Sequence, residues 1–169
     1  ELITDRITAL FELVKNSYDS NANVVTIEFI EINPITNESK IIIRDDGFGM
    51  DFSDVKNKWM VIGTSSKRRE RMTPPPYNRI VSGKKGVGRF AVDKLGAKLI
   101  LKTKKKGSDK FICLETDWVT YSNIEKEQLS FDFEQEKDFF TDIKNRYWLE
   151  EASIEEQGTI LEISRVENV

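Results

Sequence analysis

The chain has 169 residues, of which 38% are hydrophobic and 33% charged, and its net charge is −3. This composition fits one globular domain with its own core, and it excludes a disordered chain and a uniformly basic nucleic-acid-binding protein. The chain has no histidine, which excludes histidine catalysis and a histidine phosphoacceptor within it. Its single cysteine, Cys113, excludes a disulfide framework and predicts a reducing, cytoplasmic location. No segment is apolar enough to span a membrane, so we expect no membrane contact.

The first predicted element is a helix that starts near Thr4 and Asp5, residue types that favour a helix N-terminus. Glu12, Asn16 and Asp19 lie at i, i+4 and i+7 and form one narrow polar stripe. The rest of the helix is largely apolar and is therefore expected to be buried on most sides. We interpret the stripe as facing a polar partner in the interior, with plain solvent exposure as the alternative. The apolar positions are Ile7, Ala9, Leu10, Phe11, Leu13, Val14 and Tyr18.

Two strands follow the helix. Residues 24–32 alternate and are β-branched, and residues 40–44 contain three consecutive isoleucines. Asn33-Pro34 and residues 37–39 predict turns between them. The second strand ends in Asp45-Asp46-Gly47-Phe48-Gly49-Met50, whose glycines favour a turn, and a short helix is predicted from Phe52 to Trp59.

The least regular segment runs from Thr64 to Gly88. It contains three consecutive prolines and three glycines, and the stretch from Ser65 to Arg89 has eight basic residues against one acidic residue. A loop of this length in a compact domain is usually a functional lid or a disordered segment. We expect a lid that meets phosphates, and a merely solvated charged surface is the alternative.

The remainder of the chain alternates strands with an acidic segment, residues 117–157, in which 12 residues are acidic and four are basic. The predicted elements are a helix at Arg89–Leu95, strands at Lys98–Thr103 and Lys110–Thr116 joined at Gly107-Ser108, a strand at Ser130–Phe133, a helix within Lys137–Ile154 and a strand at Gly158–Ser164.

This order of elements predicts an α+β fold. Sequential hairpins with helices on one side suggest a two-layer α/β sandwich, in which a mixed, mostly antiparallel sheet carries helices on one face. We expect residues 1–169 to form one domain. The start at Glu1 without a methionine and the end on a strand-like run suggest a domain excised from a longer protein.

Two of the motifs have residues suited to metal and amine chemistry. An amide such as Asn16 suits a hard cation bound together with phosphates, and a carboxylate one turn away, Glu12, can accept a proton from a water molecule. A carboxylate just after a buried strand, Asp45, can accept a hydrogen bond from an exocyclic amine, and Gly47 and Gly49 let the backbone approach a flat ligand. Alone, each pattern is weak, because Glu, Asn and Asp-Gly turns are common.

Two later motifs complete the set. A glycine-rich stretch, Gly83-Lys84-Lys85-Gly86-Val87-Gly88, leads into a predicted helix. Backbone amides of such a turn and helix start can bind phosphate. The stretch matches neither a Walker A loop nor a dinucleotide-binding fingerprint. Gly158-Thr159 opens the last strand, where the Thr159 hydroxyl can contact the base of a ligand. A plain strand start is the alternative for Thr159.

The four motifs in this order resemble the GHKL superfamily, which includes gyrase B, the heat-shock-ninety chaperones, sensor histidine kinases and the mismatch-repair protein MutL. The stretch ELVKNSYDSNA is similar to the family's N box, IIIRDDGFGM and GKKGVGRFA to its two glycine boxes, and GTILEI to its late Gly-Thr strand. IGTSSK is similar to a Thr-Ser-Lys stretch of MutL-like members. The resemblance covers residues 1 to about 103 and returns at 158, so it implies that the acidic segment, residues 117–157, is an insertion. It also implies a Bergerat-type sandwich with a long ATP lid.

The resemblance also implies roles for individual residues in binding ATP and Mg²⁺. Glu12 would be the general base and Asn16 the magnesium ligand. Asp45 would bind the adenine amine. The other implied ATP contacts and pocket residues are Asp19, Ala22, Gly47, Gly49, Met50, Lys67, Gly83, Lys84, Lys85, Gly86, Val87, Gly88 and Thr159.

The sequence departs from the family pattern at Asp46, where Asn or Thr is usual, so a second carboxylate is expected to face solvent or the lid. MutL and gyrase also take a phosphate-contacting lysine from a following domain. The implied function is slow, Mg²⁺-dependent ATP hydrolysis in which lid closure drives dimerisation or a conformational change in a larger protein, with its C-terminal domains as partners. The alternatives are a kinase phosphotransfer domain, a regulatory nucleotide-binding module without hydrolysis, and a nucleic-acid surface formed by the basic stretch.

Overall fold

The computed structural model of the protein describes residues 2–59, 72–81, 88–118 and 145–166. The helices in these ranges are α1 (Leu2–Asp19), α2 (Phe52–Asp54) and α3 (Gly88–Asp93), and α2 continues into a π-helical stretch, Val55–Trp59. The strands are β1 (Val25–Ile32), β2 (Ile35–Asp45), β3 (Lys98–Lys104), β4 (Lys110–Asp117), β5 (Arg146–Glu151) and β6 (Gly158–Ser164).

The six strands form one sheet in the order β1-β2-β6-β3-β4-β5, and each described pair of neighbours is antiparallel. Helices α1 and α3 pack against each other and against one face of this sheet. The predicted two-layer α/β sandwich is therefore confirmed. The last strand, β6, lies in the middle of the sheet between β2 and β3, so the end of the chain completes the core.

The two faces of the sheet differ in chemistry because side chains alternate along each strand. The outer face carries ion pairs such as Lys40–Glu162 at 2.8 Å and Lys102–Glu150 at 2.7 Å, and exposed pairs of this kind contribute only about 0–1 kcal/mol each. The inner face holds the core, in which burying each large aliphatic side chain contributes about 1.5–3 kcal/mol. Its strand residues are Ile41, Ile43, Leu99, Leu101, Leu114, Leu161 and Ile163.

The buried face of α1 differs from the expectation. Ile7, Phe11 and Tyr18 are 50%, 62% and 43% exposed, so the prediction that they are buried was wrong. The helix instead packs through Ala9 and Leu13, which join the core. Ile7, Phe11 and Tyr18 are left outside the core. The helix also begins at Leu2, ahead of the predicted start at Thr4 and Asp5.

The other predicted elements divide into confirmed and corrected ones. The β3–β4 hairpin, α3, the last strand and the helical turn after Met50 are confirmed. The predicted turn at residues 37–39 was wrong, because β2 begins at Ile35 and Asn33-Pro34 alone forms the turn. The predicted helix within 137–154 was wrong for residues 146–151, which form β5 through pairing with β4. The predicted strand at 130–133 lies outside the described residues.

Part of the predicted lid, residues 72–81, is anchored to the C-terminal end of α1. Asn21 donates to the Pro74 carbonyl at 2.7 Å and accepts from the Thr73 hydroxyl at 2.6 Å, and both side chains are buried. Arg79 donates to the carbonyls of Tyr18 and Ala22 at 3.2 and 2.7 Å, where a cation suits the end of a helix. We call this group of contacts the Asn21–Arg79 clasp. It ties the described part of the lid segment to the helix that carries the polar stripe.

Candidate functional site

The candidate site lies at one end of the inner face, where three strands place polar side chains in a row. Asp45 of β2 is paired directly with Thr159 of β6, and Thr159 is paired with Thr103 of β3. These positions continue the inner-face alternation one step beyond Ile43, Leu161 and Leu101. The hydrophobic core therefore ends in a polar row formed by Asp45, Thr159 and Thr103, which we call the threonine–aspartate row.

Asp45 is held as a hydrogen-bond acceptor. Its carboxylate accepts from the Ser17 hydroxyl at 2.8 Å and from the Gly47 backbone N–H at 3.0 Å. Burial raises the pKa of the Asp45 carboxyl, and the hydrogen bonds from Ser17, Gly47 and the Thr159 backbone partly oppose that shift. A carboxylate fixed in this way is suited to accept a hydrogen bond from an amine of a ligand.

Two glycines bring the surrounding backbone unusually close together. A Cβ on Gly49, whose φ is +64°, would lie 2.0 Å from the Lys104 carbonyl oxygen, and a Cβ on Gly158, whose φ is +124°, would lie 2.0 Å from the Asp45 carbonyl oxygen. Only glycine fits either place, both for its conformation and for the space. The turn after β2 is thereby pressed against β3 and β6, and the adjacent Met50 donates its N–H to the Thr103 hydroxyl at 2.9 Å.

Helix α1 meets the row through Ser17, which lies next to Asn16 in the polar stripe. Glu12 and Asn16 are both half-buried, one turn apart on the same helix. The Glu12 carboxylate forms an ion pair with Lys15 at 2.7 Å, and its side chain is 21% exposed. Asn16 is therefore adjacent in sequence to the residue of α1 that contacts Asp45. Asp19 is the last residue of α1 and is also half-buried.

Asp46 is half-buried, and its side chain is engaged by nearby backbone. Its carboxylate accepts from the backbone N–H groups of Asn23 and Val24 at 2.7 and 2.9 Å, and its carbonyl accepts from the Gln157 side chain at 3.0 Å. Asp46 therefore holds the two residues just before β1 through its carboxylate and contacts Gln157, just before β6, through its carbonyl. This use requires a side-chain acceptor oxygen, which Asn or Thr would also provide.

Several predicted site residues lie outside the described part of the chain. Gly88 is described as the first residue of α3. Gly47, Gly49 and Met50 lie beside the threonine–aspartate row, and Ala22 is buried at the end of α1. The predicted residues outside the described ranges are Lys67, Gly83, Lys84, Lys85, Gly86 and Val87.

The structure adds three residues that the sequence did not single out. Ser17 lies inside the motif around Asn16 but had no assigned role, although its place one turn after Leu13 put it on the packed face. Thr103 looked like an ordinary strand residue. Asn21, at φ 60°, adopts a left-handed conformation in which Asn is enriched, which was a usable signal for a turn.

A concave surface lies at the β4–β5 edge, lined by Phe52, Val55, Ile112, Leu114 and Tyr147 among others. Its lining is almost entirely apolar and has no carboxylate. Within the described ranges, no three Asp, Glu, Cys or His residues are grouped as a metal site.

Comparison with known proteins agrees with this arrangement. The family described as "Histidine kinase-, DNA gyrase B-, and HSP90-like ATPase" matches residues 4–147, most of the chain. The chain belongs to this ATPase family. ATP binding is the property that its members share, and the GHKL resemblance of the four motifs is confirmed.

Individual relatives of this ATPase domain are larger proteins. It is 36% identical over 101 residues to ATPase morc-1 of Caenorhabditis elegans, covering 60% of this chain and 10% of that protein. It is 32% identical over 81 residues to the putative type II restriction enzyme HgiDII of Herpetosiphon aurantiacus, covering 48% of this chain and 12% of that protein. The chain thus spans about a tenth of the length of these curated relatives.

A solved structure shares the fold of the ATPase domain. The crystal structure of the N-terminal domain of a DNA repair protein superposes with a TM-score of 0.55 at 21% identity, covering 94% of this chain and 35% of that one. At this identity the likeness supports the fold alone. Within the described residues, the ATPase domain also has no helix with the length and hydropathy needed to cross a bilayer.

Proposed function

We propose that this domain binds ATP with Mg²⁺ and hydrolyses it slowly. The observation that carries the proposal is the buried Asp45 carboxylate, fixed as an acceptor beside Thr159 at the end of the core. An adenine amine is a donor that matches this acceptor. Family membership supports the same ligand.

In this proposal the polar stripe of α1 serves the phosphate end of the nucleotide. Asn16 would hold Mg²⁺ through its amide oxygen, which suits a hard cation. Mg²⁺ would neutralise the phosphate charge. Glu12 would accept a proton from the attacking water, and its carboxylate must first leave Lys15, its partner at 2.7 Å. Lys67, Lys85, Gly86, Val87 and Gly88 are the proposed contacts from the lid, and Asp19 the contact at the end of the helix.

Base recognition is tested by titrating ADP into the protein and into Asp45→Asn. We expect the protein to bind ADP, and we expect the variant to bind about tenfold more weakly or worse, because an amide presents hydrogens where the ligand amine needs an acceptor. Glu28→Gln is the control, since Glu28 is an exposed carboxylate of β1 paired with Arg44. Unchanged ADP affinity in Asp45→Asn would contradict the assigned role.

Hydrolysis is tested separately, by phosphate release with ATP and Mg²⁺. Loss of a positioned general base lowers the rate by about 10²–10⁴-fold. We expect Glu12→Gln to release phosphate at least a hundredfold more slowly while keeping its ADP affinity. Equal rates in wild type and Glu12→Gln would remove Glu12 as the base. Binding of ADP without any phosphate release by the longest available form of the protein would leave a regulatory nucleotide-binding module.

We also infer that ATP binding drives self-association or a conformational change in a larger protein. The support is the exposed apolar face of α1, where Ile7 and Phe11 are at least half exposed. The two residues are four positions apart on the helix and therefore neighbours on its surface, and contiguous exposed apolar residues mark contact surfaces. Light scattering with a non-hydrolysable ATP analogue should show a mass increase, and Phe11→Ser should reduce it. A monomer under all nucleotide conditions would refute the self-association.

A further inference from the structure

Strand β5 lies at one end of the sheet, and among the described residues it pairs only with β4. The Ala152 N–H donates to the Asp109 carbonyl at 2.8 Å, which continues the ladder between these two strands. Because hydrogen bonding alternates along an antiparallel pair, residues 146, 148 and 150 direct their backbone groups toward β4. Residues 147, 149 and 151 therefore direct their N–H and carbonyl groups away from β4, toward the free edge.

The inner face of the sheet is apolar and uncovered at this edge. Tyr147 and Leu149 are 60% and 54% exposed, and they lie opposite Leu114 and Ile112 of β4. Tyr147 also lines the concave surface at the β4–β5 edge, where its ring centroid lies 5.5 Å from that of Phe52. Contiguous exposed apolar side chains mark a contact surface.

The other end of the sheet, β1, has features that oppose pairing with a further strand. Its register with β2 shifts between Ile30 and Ile32, and Glu31 has a φ of 47°. Bulges and charged side chains on an edge strand, here Glu28 and Glu31, hinder edge-to-edge association. In contrast, β5 keeps an unbroken register with β4 over residues 146–151, so no bulge bends its free edge.

The sequence of β5 is complementary to itself in one antiparallel register. A two-fold axis at Trp148 places Arg146 opposite Glu150 of the partner subunit. It also places Tyr147 opposite Leu149 of the partner subunit. Opposite residues lie on the same face of a sheet, so the outer face gains opposite charges and the inner face gains an apolar pair. Moving the axis to Leu149 would instead place Trp148 opposite an acidic residue, Glu150.

The backbone is compatible with the same register. Tyr147 and Leu149, whose backbone groups face the free edge, would form a hydrogen-bonded pair across the two copies. Trp148, whose backbone groups face β4, would occupy the non-hydrogen-bonded position on the axis. Side-chain charge, apolar contact and backbone alternation therefore select one and the same alignment.

We propose that two copies of this chain associate edge to edge through β5, with Trp148 at the two-fold axis, so that their six-stranded sheets become continuous. The inference is independent of the proposed function, because no nucleotide takes part. It also uses a different surface from α1, which carries Ile7 and Phe11. One strand edge is a small interface, so we expect a dissociation constant of about one micromolar or weaker.

The register is tested by disulfide cross-linking in a Cys113→Ala background, which removes the single native thiol. Trp148→Cys places one thiol on the axis, where opposite Cα atoms lie about 4.5 Å apart, within disulfide range. Arg146→Cys is the matched control, since its thiol would lie about 13 Å along the strand from its own copy. We expect Trp148→Cys to form a covalent dimer and Arg146→Cys to cross-link at least about tenfold less.

The association itself is tested by sedimentation equilibrium without nucleotide, over a range of protein concentrations. Arg146→Glu places like charges opposite each other twice, so the dissociation constant should rise at least about fivefold. Arg44→Glu, the same charge change at an exposed residue of β2, is the control and should leave the constant unchanged. Phe11→Ser should also leave it unchanged.

Three results would overturn the proposal. They are a wild-type protein that stays monomeric up to about one millimolar, a dimer weakened by Phe11→Ser but not by Arg146→Glu, and equal cross-linking of the two thiols. If Arg146→Glu does not fold, Leu149→Pro replaces it, because the Leu149 N–H faces the free edge and its loss spares the ladder with β4. Failure to bind ADP would remove the proposed function and leave this inference intact.

Discussion

The close contact at Gly49 can be tested by comparing two glycines that share a conformation but not an environment. Gly49 and Gly107 both have positive φ, +64° and +87°. An added Cβ on Gly107 would have no heavy atom within 4 Å, whereas on Gly49 it would lie 2.0 Å from the Lys104 carbonyl oxygen and 2.6 Å from its carbon. Gly49→Ala and Gly107→Ala therefore share the conformational penalty, and only the first adds a clash with backbone.

The expected magnitudes follow from these distances. An alanine in the left-handed conformation is destabilised by about 1–2 kcal/mol. The smaller conformational entropy of its unfolded chain offsets about 0.4–1 kcal/mol of this. The unfolding free energy of Gly107→Ala should therefore be about 1 kcal/mol lower than that of the wild type. At Gly49 the shortfall from ordinary contact is more than 1 Å against the backbone of a central strand. Overpacking of this severity costs about 3 kcal/mol or more. That is a large share of the roughly 5–15 kcal/mol that stabilises a domain.

The assay is urea unfolding followed by tryptophan fluorescence, which the three tryptophans of the chain make possible. We expect the free energy of unfolding to fall at least about 2 kcal/mol further in Gly49→Ala than in Gly107→Ala. If the two variants are equally stable, the turn after β2 does not press against β3 as the structure shows. The role of Gly49 in shaping the site would then have no physical basis.

Three further predictions concern the clasp, the buried carboxyl and the buried thiol. Arg79→Ala should lose about 1–2 kcal/mol of unfolding free energy, because the Ala22 carbonyl loses its Arg79 donor and the Tyr18 carbonyl keeps only the Asn21 N–H. Arg44→Ala, at an exposed ion pair, should lose less than about 0.5 kcal/mol, and equal losses would contradict the clasp. Burial raises the pKa of the Asp45 carboxyl above its unfolded value of 3.8. The contribution of Asp45 to stability is therefore complete below pH 3.8 and is lost as the pH rises through the folded pKa. The unfolding free energy relative to Asp45→Asn should fall across that window, and a rise would contradict the direction of the shift. Burial raises the pKa of the Cys113 thiol to about 11. A thiol-reactive dye at about pH 8 should therefore label the native protein at least about a hundredfold more slowly than the urea-unfolded protein. Comparable labelling rates would show that the thiol is accessible in the native state.

Much of the fold was predictable because strand patterns are local. Alternation and β-branching identified the strands at Val25, Lys98, Lys110 and Gly158 within a few residues. The acidic sequence around β5 favoured a helix, and only pairing with β4 makes it a strand, so the information lies outside the segment. In the same way, the apolar residues of α1 cover two arcs, and their pattern does not say which arc meets the sheet.

The candidate site was predictable where a motif is contiguous. Asp45, Gly47 and Gly49 follow one another, and the structure places them together beside Thr159. Thr103 could not be found this way, because threonine is common in strands and its partners come from elsewhere in the chain. Its place in the row follows only from the register of three strands, which no single segment encodes.

The position of β6 gives the threonine–aspartate row a consequence for folding. Thr103 and Thr159 are 56 residues apart in sequence, and Asp45 comes from a third strand. The row is complete only when the final strand has inserted between β2 and β3, so a ligand that binds there recognises the finished sheet and no earlier assembly. By mass action such a ligand would stabilise the native state by about 2.7 kcal/mol at a concentration one hundred times its dissociation constant. In a cell, nucleotide supply would then influence how much of the protein survives quality control, independently of any turnover.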